Sequence, residues 1–192
     1  IGPGEDLKNL GIEVVSDLEG VGKNLQDHLQ ARPVFKTDLS TINTETSNYV
    51  KKALIGLQYI LTQRGPMTMA ASLGTGFLKT EDHLETPDIQ FHIQPFSADM
   101  PSKGAHTFSA FTASVLQLRP ESTGYLKLKS PNYLDHPEIH PNYLATATDC
   151  KTIVKGVQIA RKIAQYEPLK NHVSEEYAPG SEVPLDDEET TL

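Results

Sequence analysis

Apolar residues recur at helical spacing in two long stretches of the chain. Over residues 49–63 the set Val50, Leu54, Leu57 and Leu61 makes one stripe, and Gly65-Pro66 supplies a C-cap glycine and a stop. Over residues 149–167 the stripe is Ile153, Val154, Val157, Ala160 and Ala164, with Asp149 as the expected N-cap. A shorter helix is predicted over 5–10, ended by Gly11. Period two is clearest over 88–94, where Ile89, Phe91 and Ile93 alternate with Gln90, His92 and Gln94, so that packing and polar faces separate. Further strands are predicted over 31–37, 67–79, 107–118 and 125–129, and 12–15 is strand-like. The turn at 119–124 should join 107–118 and 125–129 into an antiparallel hairpin. Residues 23–28, 38–48 and 131–144 read as loops, as does the tail from Ala178, in which Asp186 to Glu189 resemble the acidic first turn of a truncated helix. Runs of strands between helices, rather than strict alternation, predict an α+β fold with an antiparallel sheet of about five or six strands.

Composition narrows the function classes. The 192 residues suffice for one domain with a sizeable core, and no apolar run approaches the roughly 18 residues of a membrane span. The net charge of −8, from 17 basic and 25 acidic residues, repels phosphate backbones, so nucleic acid is not an expected partner. A single cysteine, Cys150, excludes an internal disulfide framework and a cysteine-rich zinc site and fits a reducing, cytoplasmic compartment.

Candidate chemistry is sparse. Gly20-Val21-Gly22 has two glycines of a dinucleotide fingerprint but lacks the third and the long helix behind it, so it reads as a tight turn. His136, Glu138 and His140 stand at every second position, as metal ligands on an extended segment would, but Pro137 and Pro141 favour an irregular loop, and no metal is expected. No Gly-x-Ser-x-Gly elbow occurs, and Cys150 reads as an inert thiol. Asp27-His28 pairs a carboxylate with an imidazole, which serves acid–base chemistry or loop-fixing hydrogen bonds equally well. His92, flanked by glutamines on the polar face of its strand, is either a pocket wall or part of an exposed sheet face.

Several motifs occur in a shared order: Ile1-Gly2-Pro3; Asp17-Leu18-Glu19-Gly20-Val21-Gly22-Lys23-Asn24-Leu25-Gln26-Asp27-His28; Arg64-Gly65-Pro66; Pro87-Asp88-Ile89-Gln90-Phe91-His92; Arg119-Pro120-Glu121-Ser122-Thr123-Gly124; and Asn142-Tyr143-Leu144 ahead of Asp149. In this the chain resembles the glucose-methanol-choline (GMC) oxidoreductases, flavoproteins that oxidise alcohols with FAD. The resemblance implies the middle of such an enzyme. Residues 1–30 would be a linker and loop on the FAD-domain side, 31–180 the substrate-binding domain, with helices packed on one face of its sheet, and 181–192 the start of a truncated helix. It implies substrate contacts at Gln30, His92, Phe96 and Tyr49, with His92 donating to the developing alkoxide and Phe96 as an apolar wall. Asn24, Asp27 and His28 would lie nearest the flavin, while the catalytic base lies outside the segment.

FAD is therefore expected in the full-length parent and not on this segment alone, which should be inactive. The expected partners are a small alcohol and the FAD-binding domain of the same chain, and surfaces left uncovered can drive self-association. Gln30 stands where choline-oxidising members carry a glutamate, and the chain has no tryptophan for the position near Tyr49, so a neutral primary alcohol or polyol is favoured over choline. Three alternatives stay open: an oxygen-using oxidase, a hydroxynitrile lyase, and a stand-alone binding module. Peripheral membrane attachment of the parent is a further one.

Overall fold

In the computed structural model, which describes residues 1–70, 72–100 and 103–184, the expected α+β architecture forms from four α-helices and nine strands among the described residues. The helices are α1 (Gly4–Asn9), α2 (Ile42–Glu45), α3 (Tyr49–Thr62) and α4 (Ala147–Ala164). Strands β1 (Lys23–Leu25), β7 (Gly124–Lys127) and β8 (Glu138–His140) form a three-stranded antiparallel sheet in the order β1-β7-β8. Strands β2 (Gln30–Ala31), β3 (Val34–Thr37), β4 (Gly74–Leu78), β5 (Ile89–Gln94), β6 (Ala110–Gln117) and β9 (Val173–Ala178) form a six-stranded one. No described helix is long and apolar enough to cross a membrane. The chain divides into two compact units, residues 1–29 with 119–150, and residues 30–118 with 151–192.

The larger unit is built on the order β4-β5-β6-β3-β9, with β2 also pairing β6. Gln30 and Ala31 pair with Leu116 and Val115, and Val34 to Lys36 pair with Thr112 to Ala110. Pro33 has no N–H to give a ladder, so the single strand expected over 31–37 is split there, while the Pro33 carbonyl still accepts from Ala113 N. Directly paired residues share a face. Ile89 and Phe91 of β5, Ala113 and Val115 of β6 and Phe35 of β3 meet Val157, Ala160 and Ala164 of α4 in one buried cluster. At Gly156 a Cβ would stand 2.6 Å from a Val115 methyl, so the glycine is what lets α4 approach the sheet.

Strand β9 was not foreseen, because Val173-Ser174-Glu175-Glu176-Tyr177-Ala178 lacks clean alternation; pairing with β3 makes it a strand. Its Glu176 accepts from Arg161 of α4 at 2.8 and 2.9 Å, and the same guanidinium donates to the carbonyls of Gly180 and Val183. Helix α3 forms as expected, with Asn48 Oδ1 accepting from Lys51 N at 2.9 Å, but Gln63 rather than Gly65 is its left-handed C-cap. Its apolar stripe is not core: Val50, Leu54, Leu57 and Leu61 are all exposed.

The smaller unit corrects several expectations. Residues 107–118 and 125–129 do not pair as a hairpin, since β6 lies in the six-stranded sheet and β7 pairs with β1 and β8. The intervening turn is held elsewhere: Asp149 accepts from the backbone N–H groups of Glu121 and Ser122 at 2.9 and 2.8 Å, and from the Ser122 hydroxyl. Asp149 is therefore a buried anchor and not the N-cap of α4; Thr146 Oγ1 takes the capping bond, from Asp149 N. Among the described residues the strand-like run 12–15 finds no partner strand, and the bridge nearby joins Gly2 to Asp17. Residues 23–28 and 131–144, expected as loops, contribute β1 and β8. Gly22, at φ 80°, crosses so close to β7 that a Cβ would collide with the Leu126 carbonyl oxygen. The acidic turn expected at 186–189 lies outside the described residues.

Candidate functional site

The face of the six-stranded sheet opposite the α4 cluster carries the polar alternation of β5. Register places Thr75, His92 and Ser114 side by side on β4, β5 and β6. The adjacent row runs Phe77, Gln90, Leu116 and Gln30, and the row on the other side holds Gln94, Thr112 and Val34. Gln30 and His92, expected to share a site although 62 positions apart in sequence, thus lie on one sheet face, Gln30 exposed and His92 half-buried. Phe96 follows β5, half-buried, with its carbonyl accepting from Thr112 Oγ1 at 2.7 Å. Tyr49 opens α3 at 88% exposure, with the Lys52 ammonium 5.7 Å from its ring centre. Among the described residues no hydrogen bond, ion pair or ring contact joins Tyr49 to any of the other three.

The loop carrying Asn24, Asp27 and His28 belongs to the smaller unit. Asn24 lies in β1 with φ 57°, a left-handed conformation that asparagine tolerates. Of the Asp27 carboxylate oxygens, one accepts from the His28 backbone N–H at 2.8 Å and the other from the Tyr143 hydroxyl. The tyrosine bond, then the backbone bond, hold the Asp27 carboxyl below its ordinary value of 3.8, and the same carboxylate raises Tyr143 above 10. Gln26 Nε2 donates to the Pro120 carbonyl at 2.7 Å, and Asn142 Nδ2 to that of Thr123 at 3.0 Å. The motifs 24–28, 119–124 and 142–144 are one hydrogen-bonded assembly, anchored on Asp149. The sequence marks Tyr143 only through its place in Asn142-Tyr143-Leu144, one of the motifs on which the resemblance rests.

Other constellations have structural explanations. Ser97 Oγ, His106 and Asp99 line up at 3.0 and 2.9 Å, as in a nucleophile triad, but Ser97 is fully buried and is gripped by Asn43 through both backbone groups, so the set fixes a loop. On β8, Glu138 and His140 are 3.8 Å apart and Tyr125 stacks on the His140 ring; no group of three ligating side chains that could hold a metal occurs among the described residues. Cys150 is a free thiol whose Sγ donates to the Leu144 carbonyl.

For a dinucleotide, the fit is partial. The N-terminal amide of α1 at Gly4 is already taken by Asp17 Oδ1 at 2.7 Å, and no glycine-rich strand–turn–helix occurs among the described residues. What remains is the exposed loop 24–28, which can border such a group but does not cradle its pyrophosphate.

Residues 120–191 match the family model described as GMC oxidoreductase. Over 98% of the chain there is 34% identity to an "Alcohol dehydrogenase [acceptor]" of Pseudomonas putida and 35% to a mitochondrial choline dehydrogenase of Mus musculus. The chain spans about a third of these relatives' length, 34% and 32% respectively. Among solved structures, a formate oxidase superposes over 97% of this chain and 37% of its own with a TM-score of 0.84 at 22% identity, a likeness of fold. FAD is the cofactor named for variants of the Aspergillus oryzae formate oxidase, which superpose with TM-scores of 0.84 and 0.83 at 22% and 23% identity, over 98% and 97% of this chain and 37% of theirs.

Proposed function

From a chain that belongs to the GMC oxidoreductases, we propose that it forms the substrate-binding portion of an FAD-dependent enzyme that oxidises a primary alcohol to the aldehyde. The observation that carries this reading is the shared sheet face of Gln30 and His92, polar side chains on one rigid wall with packed core behind it. FAD accepts the hydride when bound, and the residues of this chain shape the alcohol's site. His92 holds the substrate oxygen by a hydrogen bond as negative charge develops on it, and Phe96 walls the carbon chain. Asn24, Asp27 and His28 border the cofactor, whose binding domain and catalytic base come from elsewhere in the parent, so this segment alone holds no FAD and turns nothing over.

Gln30 favours a neutral alcohol over choline, because an amide offers no net charge to a quaternary ammonium, and Tyr49 is a weaker cation–π partner than tryptophan. The exposed stripe of α3 supports the rest of the parent chain as a partner, since an apolar helix face left open to water marks an interaction surface.

The test is a substrate screen of the flavin-loaded full-length protein. Neutral primary alcohols should bleach the flavin faster than choline, and His92→Ala should lower kcat/KM by about 100-fold, the scale of one lost donor to developing charge. Gln30→Glu should narrow the preference against choline. A protein without flavin, or a His92→Ala enzyme as fast as the parent, would overturn the reading. Peroxide formation against dye reduction separates oxidase from dehydrogenase.

A further inference from the structure

Ser114 is 1% exposed, and its Oγ is the one buried side-chain N or O atom among the described residues with no hydrogen-bond partner. A buried hydroxyl left unpaired costs stability, so its presence asks for a reason. Register sets it directly across from His92, and a cross-strand pair has Cβ atoms about 5 Å apart. The other cross-strand neighbour of His92, Thr75, is already committed: its Oγ1 donates to the Phe91 carbonyl at 2.9 Å and accepts from Gln90 Nε2 at 3.1 Å. The His92 ring makes no hydrogen bond among the described residues, and neither paired neighbour carries a charge. The sheet thus holds an imidazole and a hydroxyl side by side, both with unused hydrogen-bonding capacity, on the face that the proposed function assigns to substrate.

We propose that Ser114 is the positioning residue of His92: its hydroxyl turns to hydrogen-bond one ring nitrogen and so presents the other to the substrate's oxygen. A serine changes χ1 between staggered wells without disturbing its strand, and a hydroxyl can accept from or donate to either ring nitrogen. Fixing one nitrogen fixes the tautomer at the other, as hydrogen-bonding partners of functional histidines do. The burial of Ser114 keeps water from competing for the bond, and only His92 reaches the ligand. This inference rests on the reading of His92 as substrate-facing.

The experiment is nitrogen-15 NMR of the histidine rings in the 192-residue chain, with His92 assigned from its loss in His92→Gln. In the parent chain the neutral His92 ring should favour one tautomer. Ser114→Ala should change the tautomer ratio about fivefold, the size of one net hydrogen bond, and Ser114→Thr, which keeps the hydroxyl, should restore it. Ser114→Ala should also melt about 2–4 °C below the parent, the scale of one lost net hydrogen bond, and Ser114→Thr should recover most of that loss. An unchanged tautomer ratio in Ser114→Ala, or a changed ratio that Ser114→Thr fails to restore, would overturn the proposal. These readouts need neither flavin nor alcohol. If they behave as expected while His92→Ala leaves the full-length enzyme unaffected, the functional reading fails and the Ser114–His92 coupling stands.

Discussion

Helix α4 buries Val157, Ala160 and Ala164 against the six-stranded sheet, whereas α3 leaves Val50, Leu54, Leu57 and Leu61 between 51% and 72% exposed, although both carry an apolar stripe of the same period. The difference lies in what each stripe meets. Helix α4 has small residues at its contact, Gly156, Ala160 and Ala164, which let its backbone approach β6 closely, and Arg161 fastens it to β9. Helix α3 carries long aliphatic side chains, and among the described residues no strand of its unit closes over them. A helical period therefore specifies a helix and the side it must cover, but the cover itself has to be supplied by other parts of a chain.

The largest expected effect breaks the fastening of α4. Arg161→Ala leaves the largely buried Glu176 carboxylate without its partner and should cost about 3 kcal/mol, read from urea unfolding of the isolated chain. A loss under about 1 kcal/mol would mean that apolar packing alone docks the helix. Next, Gly156→Ala forces a methyl against Val115, which is fully buried and has no room to give, and should destabilise by about 2 kcal/mol. On the other helix, Leu54→Gln with Leu61→Gln should change stability by no more than about 0.5 kcal/mol while reducing any self-association seen by sedimentation. A clear loss of stability would show that α3 is covered within this chain.

The smallest effect concerns the exposed Asp27–Tyr143 bond. A carboxyl with a lowered pKa contributes stability that is present above its ordinary value of 3.8 and is lost as pH falls through the lowered one. A phenol with a raised pKa contributes below 10 and loses it as pH rises through the raised value. The bond should thus hold the loop across the neutral range, weakly because it is exposed. Ultraviolet titration should find one tyrosine ionising above the ordinary range, absent in Tyr143→Phe and returned to that range in Asp27→Asn. A Tyr143 that ionises in the ordinary range would remove the Asp27–Tyr143 link and leave the loop held by Gln26 and Asn142.

How far the sequence could be read depended on distance along the chain. The alternation at 89–94 announced both faces of β5 and singled out His92, because successive strand side chains must point to opposite sides. Ser114 carried no comparable mark. Its significance comes from a register that joins it to a residue 22 positions earlier, and from the absence of a partner for its hydroxyl among the described residues. Gln30 reached the same face through a pairing with Leu116, 86 positions away, and Tyr143 reached Asp27 across 116 positions. Strand β9 escaped notice because Glu175 and Glu176 obscure its period; β3 and Arg161 make it a strand. The hairpin expected across 119–124 failed for the same kind of reason, since Asp149 claims the turn and β1 and β8 claim β7.

By itself, then, the sequence determined the two long helices, the two faces of β5 and the motifs that mark the family, all of them features written within a few residues by backbone geometry. Only the tertiary structure decided which apolar stripe is core, which strands are neighbours and which buried hydroxyl stands unpaired beside His92. Those outcomes depend on pairings between residues tens of positions apart, and local periodicity carries no record of register.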